Sequence, residues 1–250
     1  MVNIMKPYKE VIKDRYNNKK NINIYDNIYS LINPVGFYLN QKIRYIFYKI
    51  FNIIRKNDID ITKSNILDIG CGDGTWTRFF AELKGTPSGI YGVDLSNNRI
   101  KEAKTLNPNI KYLLGNITNI TIKDIKFDII TAIDVFSHLS TEEEILKSLN
   151  NIYNLLTKNG MFLWYDIHNR SHFKARYNCD AYGYNKNEII KFCKKVGFKK
   201  IYYSKIFKKI FWKYHSAYIV NKNIHFWIIS LLEKILPGSA GNLIFLFKKL

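Results

Sequence analysis

The apolar residues of this chain fall into short continuous runs that alternate with segments of helical spacing. Apolar runs predict five strands, at 65–69, 89–93, 110–114, 127–133 and 161–165. Helical patterns predict helices between them, at 75–83, 97–105 and 140–156. Strands that alternate with helices of about ten residues are typical of a parallel, doubly wound sheet, so we predict an α/β fold.

Further elements flank this alternating region. Apolar positions such as Ile43, Phe47, Ile50 and Ile54 predict an N-terminal helix at 41–55. We expect Gly160 to end the 140–156 helix. A helix at 187–196 and strands at 199–207 and 243–247 would complete a Rossmann-like, seven-stranded, mostly parallel sheet. The predicted organisation is a helical N-terminal extension or lid at 1–60 and one domain at 61–250, with a helical insertion at 208–240 before the last strand.

The most informative motif is Leu-Asp-Ile-Gly-Cys-Gly-Asp-Gly at 67–74, directly after the first strand. Glycines at a strand-to-helix turn let backbone N–H groups approach a ligand closely. Dinucleotide-binding domains use G-x-G-x-x-G, but here Gly74 comes one position earlier than that pattern requires. The preceding Asp68 suits a cofactor with a positively charged amino-acid end, whereas Asp94 could bind ribose hydroxyls of either cofactor class.

The spacing resembles the first motif of class I S-adenosylmethionine-dependent methyltransferases, and the similarity covers about residues 64–168. Gly-Val-Asp-Leu-Ser at 92–96 resembles the family's second motif, and Asn116 stands where the family usually has Asp beside the adenine. The resemblance implies S-adenosylmethionine as cofactor and S-adenosylhomocysteine as product. The cofactor-binding residues that it implies are Asp68, Gly70, Cys71, Gly72, Gly74, Asp94, Leu95, Asn116, Ile117 and Asp134, with Tyr16 placed over the cofactor.

A narrower resemblance concerns the acceptor. Asn33-Pro34 and Leu163-Trp164-Tyr165-Asp166 are similar to segments of methyltransferases from bacterial surface-polysaccharide gene clusters. This implies a sugar hydroxyl in a surface glycan or glycan precursor as acceptor. Residues 134–137 read Asp-Val-Phe-Ser, without the two prolines of the motif that handles adenine N6 or glutamine amides. The sequence therefore favours O-methylation, or methylation of an amine or carbon.

Three residues are candidates for the base that removes a hydroxyl proton. His138 follows the fourth strand, at the edge where the acceptor should lie, and imidazole titrates near neutrality. Asp166 and His168 follow the fifth strand and are expected at the same edge. Each has a structural alternative: His138 could order its loop, and the other two could cap backbone groups.

Composition limits the remaining possibilities. The three cysteines form no CxxC pair or Cys/His cluster, so we expect no metal and a reducing, cytoplasmic location. Residues 170–250 carry 17 Lys/Arg against 3 Asp/Glu, a net charge of +14 of the chain's +19. This charge favours an anionic partner, although codon bias towards lysine explains it equally well.

The basic, aromatic segment 206–236 has three interpretations: a lid over the acceptor, a helix lying on the inner face of a membrane, or a packed helical pair. A small-molecule or glycan acceptor, anionic or lipid-linked, fits the first two. The alternatives to a glycan methyltransferase are a basic RNA methyltransferase and a non-catalytic S-adenosylmethionine-binding protein. Nucleic acid is the less favoured partner, because no RNA-binding module is recognisable.

Overall fold

The computed structural model describes residues 34–168, 183–208 and 240–250, together with Leu231 and Ile235. The strands are β1 Ile66–Ile69, β2 Ile90–Asp94, β3 Lys111–Leu114, β4 Phe127–Ile133, β5 Leu156–Ile167, β6 Phe198–Lys208 and β7 Ala240–Lys249. The helices are α1 Pro34–Arg55, α2 Thr75–Lys84, α3 Asn97–Leu106, α4 Glu142–Leu155 and α5 Lys186–Val196, with a 3-10 turn at Phe136–His138.

The seven strands form one sheet in the order β3-β2-β1-β4-β5-β7-β6. Strands β1 to β5 pair in parallel, and β7 pairs antiparallel with both β5 and β6. The strand order reverses between β1 and β4, which is where α/β sheets bind ligands. The predicted Rossmann-like α/β fold is therefore confirmed.

Alternate strand residues face two separate cores, one on each side of the sheet. Ile66 joins a core that contains Phe47 of α1 and Phe80 of α2, whereas Leu67 joins a core with Ile152 of α4. Both faces of the sheet are thus covered by helices, which explains the continuous apolar runs of the parallel strands. The N-terminal helix is confirmed, and it is an integral part of the first core.

Two boundaries differ from the sequence prediction. Helix α1 begins at Pro34, about two turns earlier than expected, since proline is well suited to a first helical turn. Gly160 does not end α4: that helix ends at Leu155, and buried Leu156 already pairs with Phe127 as the first residue of β5. The prediction at Gly160 was wrong because a strand pairing, not a glycine, ends the helix.

The division into an extension at 1–60 and a domain at 61–250 stays a prediction. Residues 1–33, and all of the insertion except Lys208, Leu231, Ile235 and Ala240, lie outside the described part of the chain. Among the described residues, no helix combines the length and apolar character needed to cross a membrane.

Candidate functional site

A cavity of about 350 Å³ lies at the carboxyl ends of β1, β2 and β4. Its volume is within the range of small-molecule sites, and its position is the point where the strand order reverses. Three stretches after these strands contribute to its wall: 69–73, 93–96 and 133–135. The cavity is therefore the candidate site.

The glycine loop after β1 reaches the cavity through its backbone. Gly70 and Gly72 have φ values of 69° and 55°, in the left-handed region that favours glycine. A Cβ on Gly70 would collide with the side chain of Val135, whereas a Cβ on Gly72 would meet nothing within 4 Å. Gly70 therefore permits close packing, and Gly72 leaves open space for a ligand. Cys71 between them also lines the cavity.

Asp94 joins the loop to the end of β2. Its carboxylate accepts hydrogen bonds from the backbone N–H of Gly72 at 2.9 Å and of Ser96 at 2.8 Å. Burial raises the pKa of Asp94, and these two hydrogen bonds act in the opposite direction. The carboxylate lines the cavity and keeps acceptor capacity for ligand hydroxyls.

Asp68 does not line the cavity, contrary to the expected direct contact with the cofactor. Its buried carboxylate accepts hydrogen bonds from the hydroxyls of Thr77 at 2.6 Å and Thr131 at 2.7 Å. Burial raises the pKa of this carboxyl to about 6. Asp68 therefore ties β1 to α2 and β4 from beneath the loop.

Gly74 is also absent from the cavity wall. It has a φ of 81° at the N-cap of α2, and a Cβ there would collide with the ring and hydroxyl of Tyr112. Its role is in packing, because only a residue without a side chain leaves room for Tyr112.

The segment after β3 supplies a polar edge and an apolar one. Asn116 lines the cavity, and its side-chain oxygen accepts hydrogen bonds from the backbone N–H and hydroxyl of Thr118, each at 3.0 Å. This holds the side chain in place and leaves its NH₂ group as a donor. Ile117 and Leu95 line the same cavity and give it an apolar edge.

Asp134 follows β4 with a φ of 55°, an uncommon backbone conformation for a residue other than glycine. Its N–H donates to the carbonyl of Tyr165 at 2.9 Å, and the residue lines the cavity. Its Oδ1 atom is buried, without a hydrogen-bond partner among the described residues. Burial, and secondarily the charge of Asp166, raise the pKa of Asp134 well above its usual range.

The three predicted bases occupy different positions. His138 lines the cavity from the 3-10 turn after β4. Asp166 is buried behind it and accepts hydrogen bonds from the N–H groups of Ser137 and Ile167, both at 2.8 Å. The backbone N–H of His168 donates to the carbonyl of Gly241, and the residue forms an isolated parallel bridge with Tyr184. Its Nδ1 lies 2.8 Å from the Tyr184 carbonyl oxygen.

Neither Asp166 nor His168 is among the described residues of the cavity wall. Asp166 does not reach the open edge as expected, because it is buried and backbone N–H groups take up its oxygens. The expectation for His168, which is half-buried and borders residues outside the described part of the chain, stays a prediction. Asp166 instead anchors the turn that presents His138, since it accepts the N–H of Ser137.

Another part of the cavity wall is apolar and aromatic, and it was not predicted from the sequence. Its members come from α1, α2, β5 and β6: Leu39, Ile43, Trp76, Tyr165 and Phe207. Phe47 lies behind this wall and packs edge-on against Trp76 at 5.2 Å and Tyr165 at 6.3 Å between ring centroids. Leu39, Ile43 and Phe47 are spaced by four residues along one face of α1, a signal that was visible in the sequence.

Arg99 of α3 also lines the cavity without having been predicted from the sequence. It is mostly buried, and its guanidinium lies 3.7 Å from the carboxylate of Asp73 and 3.4 Å from that of Glu102. It supports the loop after β1 from the neighbouring helix.

Tyr16 and residues 169–182 lie outside the described part of the chain. Within the described ranges, no group of three or more His, Cys, Asp or Glu side chains could hold a metal ion.

Comparisons with known proteins agree with this geometry. Residues 66–160 match a family model described as a methyltransferase domain. The chain is 32% identical over 184 residues to the ribosomal RNA large subunit methyltransferase E of Wigglesworthia glossinidia brevipalpis, covering 65% of this chain and 75% of that protein. It is 30% identical over 106 residues to the demethylmenaquinone methyltransferase of Lactococcus lactis, covering 40% of this chain but only 41% of that protein.

The fold is also that of solved structures. The crystal structure of magnesium protoporphyrin IX methyltransferase from Synechocystis PCC 6803 with bound S-adenosylmethionine superposes with a TM-score of 0.64. The match covers 99% of this chain and 100% of that one at 14% sequence identity, which is a likeness of fold.

Proposed function

This chain belongs to the class I S-adenosylmethionine-dependent methyltransferases, and from that premise we propose that it methylates a hydroxyl oxygen of a small-molecule acceptor. The observation that carries the proposal is the single cavity in which the glycine loop and Asp94 face an aromatic wall, with His138 also in the lining. One part of the cavity wall has the groups that a nucleoside needs, and another part is apolar and aromatic.

The described residues fit the cofactor. Asp94 would accept hydrogen bonds from the ribose hydroxyls, the NH₂ group of Asn116 would donate to the adenine edge, and the open space at Gly72 allows the amino-acid part to approach the backbone. Bound S-adenosylmethionine supplies a methyl group on a positively charged sulfur. The protein then needs to hold an acceptor in line with that methyl group and to receive one proton.

We assign the proton-accepting role to His138. His138 lines the cavity. Asp166 fixes the turn that carries His138, because it accepts a hydrogen bond from the N–H of Ser137. Residues 134–137 lack the two prolines of the amide and adenine-N6 motif, which disfavours those acceptors. Among the remaining acceptors a hydroxyl is favoured, because it needs the base that His138 can supply. A His138→Gln variant should bind S-adenosylhomocysteine normally and turn over about a hundredfold or more slowly.

For the acceptor itself we propose a sugar hydroxyl in a glycan or glycan precursor. The aromatic wall supports this, since the C–H face of a sugar ring packs well against an aromatic side chain, and Trp76 lines the cavity and is only partly buried. The proposed location is cytoplasmic, at the inner face of a membrane if the precursor is lipid-linked. Leu231 and Ile235, 59% and 67% exposed, lie in the segment proposed for membrane contact.

An RNA acceptor is the second candidate. It is favoured by the relative from Wigglesworthia, of which this chain covers 75%, and by the charge of +14 in residues 170–250. Against it, Arg99 is the cavity's one lysine or arginine among the described residues, and it is close to Asp73 and Glu102.

Calorimetry with S-adenosylmethionine and S-adenosylhomocysteine tests the cofactor site first. Transfer of a labelled methyl group to a panel of nucleotide sugars, lipid-linked sugars and RNA hairpins then tests the acceptor. Methylation of RNA alone, with strongly salt-dependent binding, would replace the sugar proposal. Cofactor binding without turnover on any acceptor would favour the non-catalytic alternative.

A further inference from the structure

Asp134 differs from the other acidic residues of the cavity. Asp94 accepts two backbone hydrogen bonds, and Asp73 accepts hydrogen bonds from the N–H and hydroxyl of Thr75 at 2.9 and 2.7 Å. The Oδ1 atom of Asp134 is buried and has no partner among the described residues. A buried polar atom in a native structure needs a partner, and Asp134 belongs to the wall of a ligand cavity.

The surroundings of Asp134 disfavour a negative charge there. The buried carboxyl of Asp166 on β5 is close enough to raise the pKa of Asp134 by charge repulsion. The titratable side chains that share the cavity wall with it are Cys71, Asp73, Asp94, Arg99, His138 and Tyr165. Helix α1 contributes only Leu39, Asn40 and Ile43 to that wall, so it brings no charge.

The backbone of Asp134 shows that this position is enforced. Its φ of 55° and the hydrogen bond from its N–H to Tyr165 fix the residue at the end of β4. Strained backbone of this kind persists only where the surrounding structure imposes it, and it is common at binding sites.

We propose that the carboxyl of Asp134 is protonated when the cavity holds no cation and ionised when it holds a positively charged ligand, so that binding the cation releases a proton from Oδ1 or Oδ2. The proposal rests on the assignment of the cavity to S-adenosylmethionine, whose sulfur carries a positive charge that S-adenosylhomocysteine lacks. An isolated carboxylate is unstable in such a place, whereas a carboxylate beside a cation is stable.

The proposal gives Asp134 a role in telling substrate from product. The carboxylate of Asp134 attracts S-adenosylmethionine. It takes up a proton once methyl transfer has removed the positive charge from the sulfur. The burial and the nearby Asp166 raise the pKa of Asp134, which favours the protonated form in the empty cavity. Asp134 thereby becomes a specificity-determining residue for the charge on sulfur.

Titration calorimetry in two buffers of different ionisation enthalpy, at one pH near neutrality, tests this directly. The wild type should release up to one proton on binding S-adenosylmethionine and far less on binding S-adenosylhomocysteine. Asp134→Asn should bind both ligands but lose this difference, and its preference for the charged ligand should fall about tenfold or more. Asparagine adopts left-handed backbone readily, so the variant keeps the local geometry.

Two further variants sharpen the result. Asp128→Asn changes a carboxylate on β4 that accepts hydrogen bonds from the backbone N–H of Asn65 and the hydroxyl of Thr157. Asp128 is outside the cavity wall, so this variant should leave proton release unchanged. His138→Gln separates protons released by the imidazole. Equal proton release in wild type and Asp134→Asn would overturn the proposal, as would no release in the wild type. Absence of binding by both ligands would instead overturn the cofactor assignment.

Discussion

The carboxylate of Asp94 holds the backbone N–H of Gly72 at 2.9 Å, although 22 residues separate the two in the chain. The contact fixes the glycine loop against the end of β2. It also places the proposed ribose acceptor and the open space at Gly72 in one cavity.

Asp94→Ala should weaken S-adenosylmethionine binding by about a hundredfold. The change removes the acceptor of two backbone N–H groups and of the ligand hydroxyls, and hydrogen bonds to charged groups contribute about 1.5–3 kcal/mol each. Isothermal calorimetry measures the loss. Asp128→Ala is the control and should bind normally, because Asp128 lies near the amino end of β4 and outside the cavity wall. Equal affinities of wild type and Asp94→Ala would contradict the ribose assignment.

Gly70→Ala should destabilise the protein more than Gly85→Ala does. Both glycines have positive φ, 69° and 81°, so alanine is strained at either site by about 1 kcal/mol. Only at Gly70 does the new Cβ also collide with Val135. Urea denaturation measures the difference, and Val135→Ala should recover part of it in the double variant. Equal losses at the two glycines would show that Val135 moves aside freely.

The stability contributed by Asp68 should change between about pH 4 and pH 6. Its pKa is about 6 in the folded protein and 3.8 when unperturbed, so the folded state binds its proton more tightly. The associated stabilisation is complete below pH 4 and is lost as pH rises through 6, amounting to ~3 kcal/mol at most. The free energy of unfolding of Asp68→Asn, relative to wild type, should therefore increase over this range and stay constant above it. A difference that does not vary with pH would mean that folding does not raise the pKa of Asp68.

Phe47→Ala should lower the free energy of unfolding by about 3–5 kcal/mol, because it leaves a cavity under the aromatic wall. Tyr48 is the next residue of α1 and is 53% exposed, so Tyr48→Ala should change stability by less than about 0.5 kcal/mol. The milder Phe47→Leu should stay folded and raise the acceptor KM, since Trp76 and Tyr165 lose their edge-on support. An unchanged KM would separate this wall from acceptor binding.

Local sequence patterns identified residues that the fold brings together, and their role in cofactor binding stays a prediction. The glycine spacing and the strand that ends at Asp94 are short-range signals, and the structure places Gly70, Gly72, Asp94 and Asn116 around one cavity. The parallel sheet followed from the apolar runs because both faces of the strands are buried.

Contacts between distant parts of the chain were not predictable in this way. Asp68 was misplaced because its partner Thr131 is 63 residues away. Asp166 was misplaced because the N–H of Ser137 takes its oxygen, 29 residues earlier in the chain. Phe207 lines the cavity because β6 pairs with β7. No local pattern around residue 207 reveals that pairing.

The two sides of the cavity are covered by the family model to different extents. The glycine loop, Asp94 and Asn116 all lie within residues 66–160, the stretch shared with the family model, whereas Leu39, Ile43 and Phe207 lie outside it. On the proposal that the apolar wall holds the acceptor, substitutions at these three positions should alter which molecule is methylated and leave the donor site intact. The family match therefore identifies the methyl donor of this enzyme, whereas the acceptor depends also on residues that the family model does not cover.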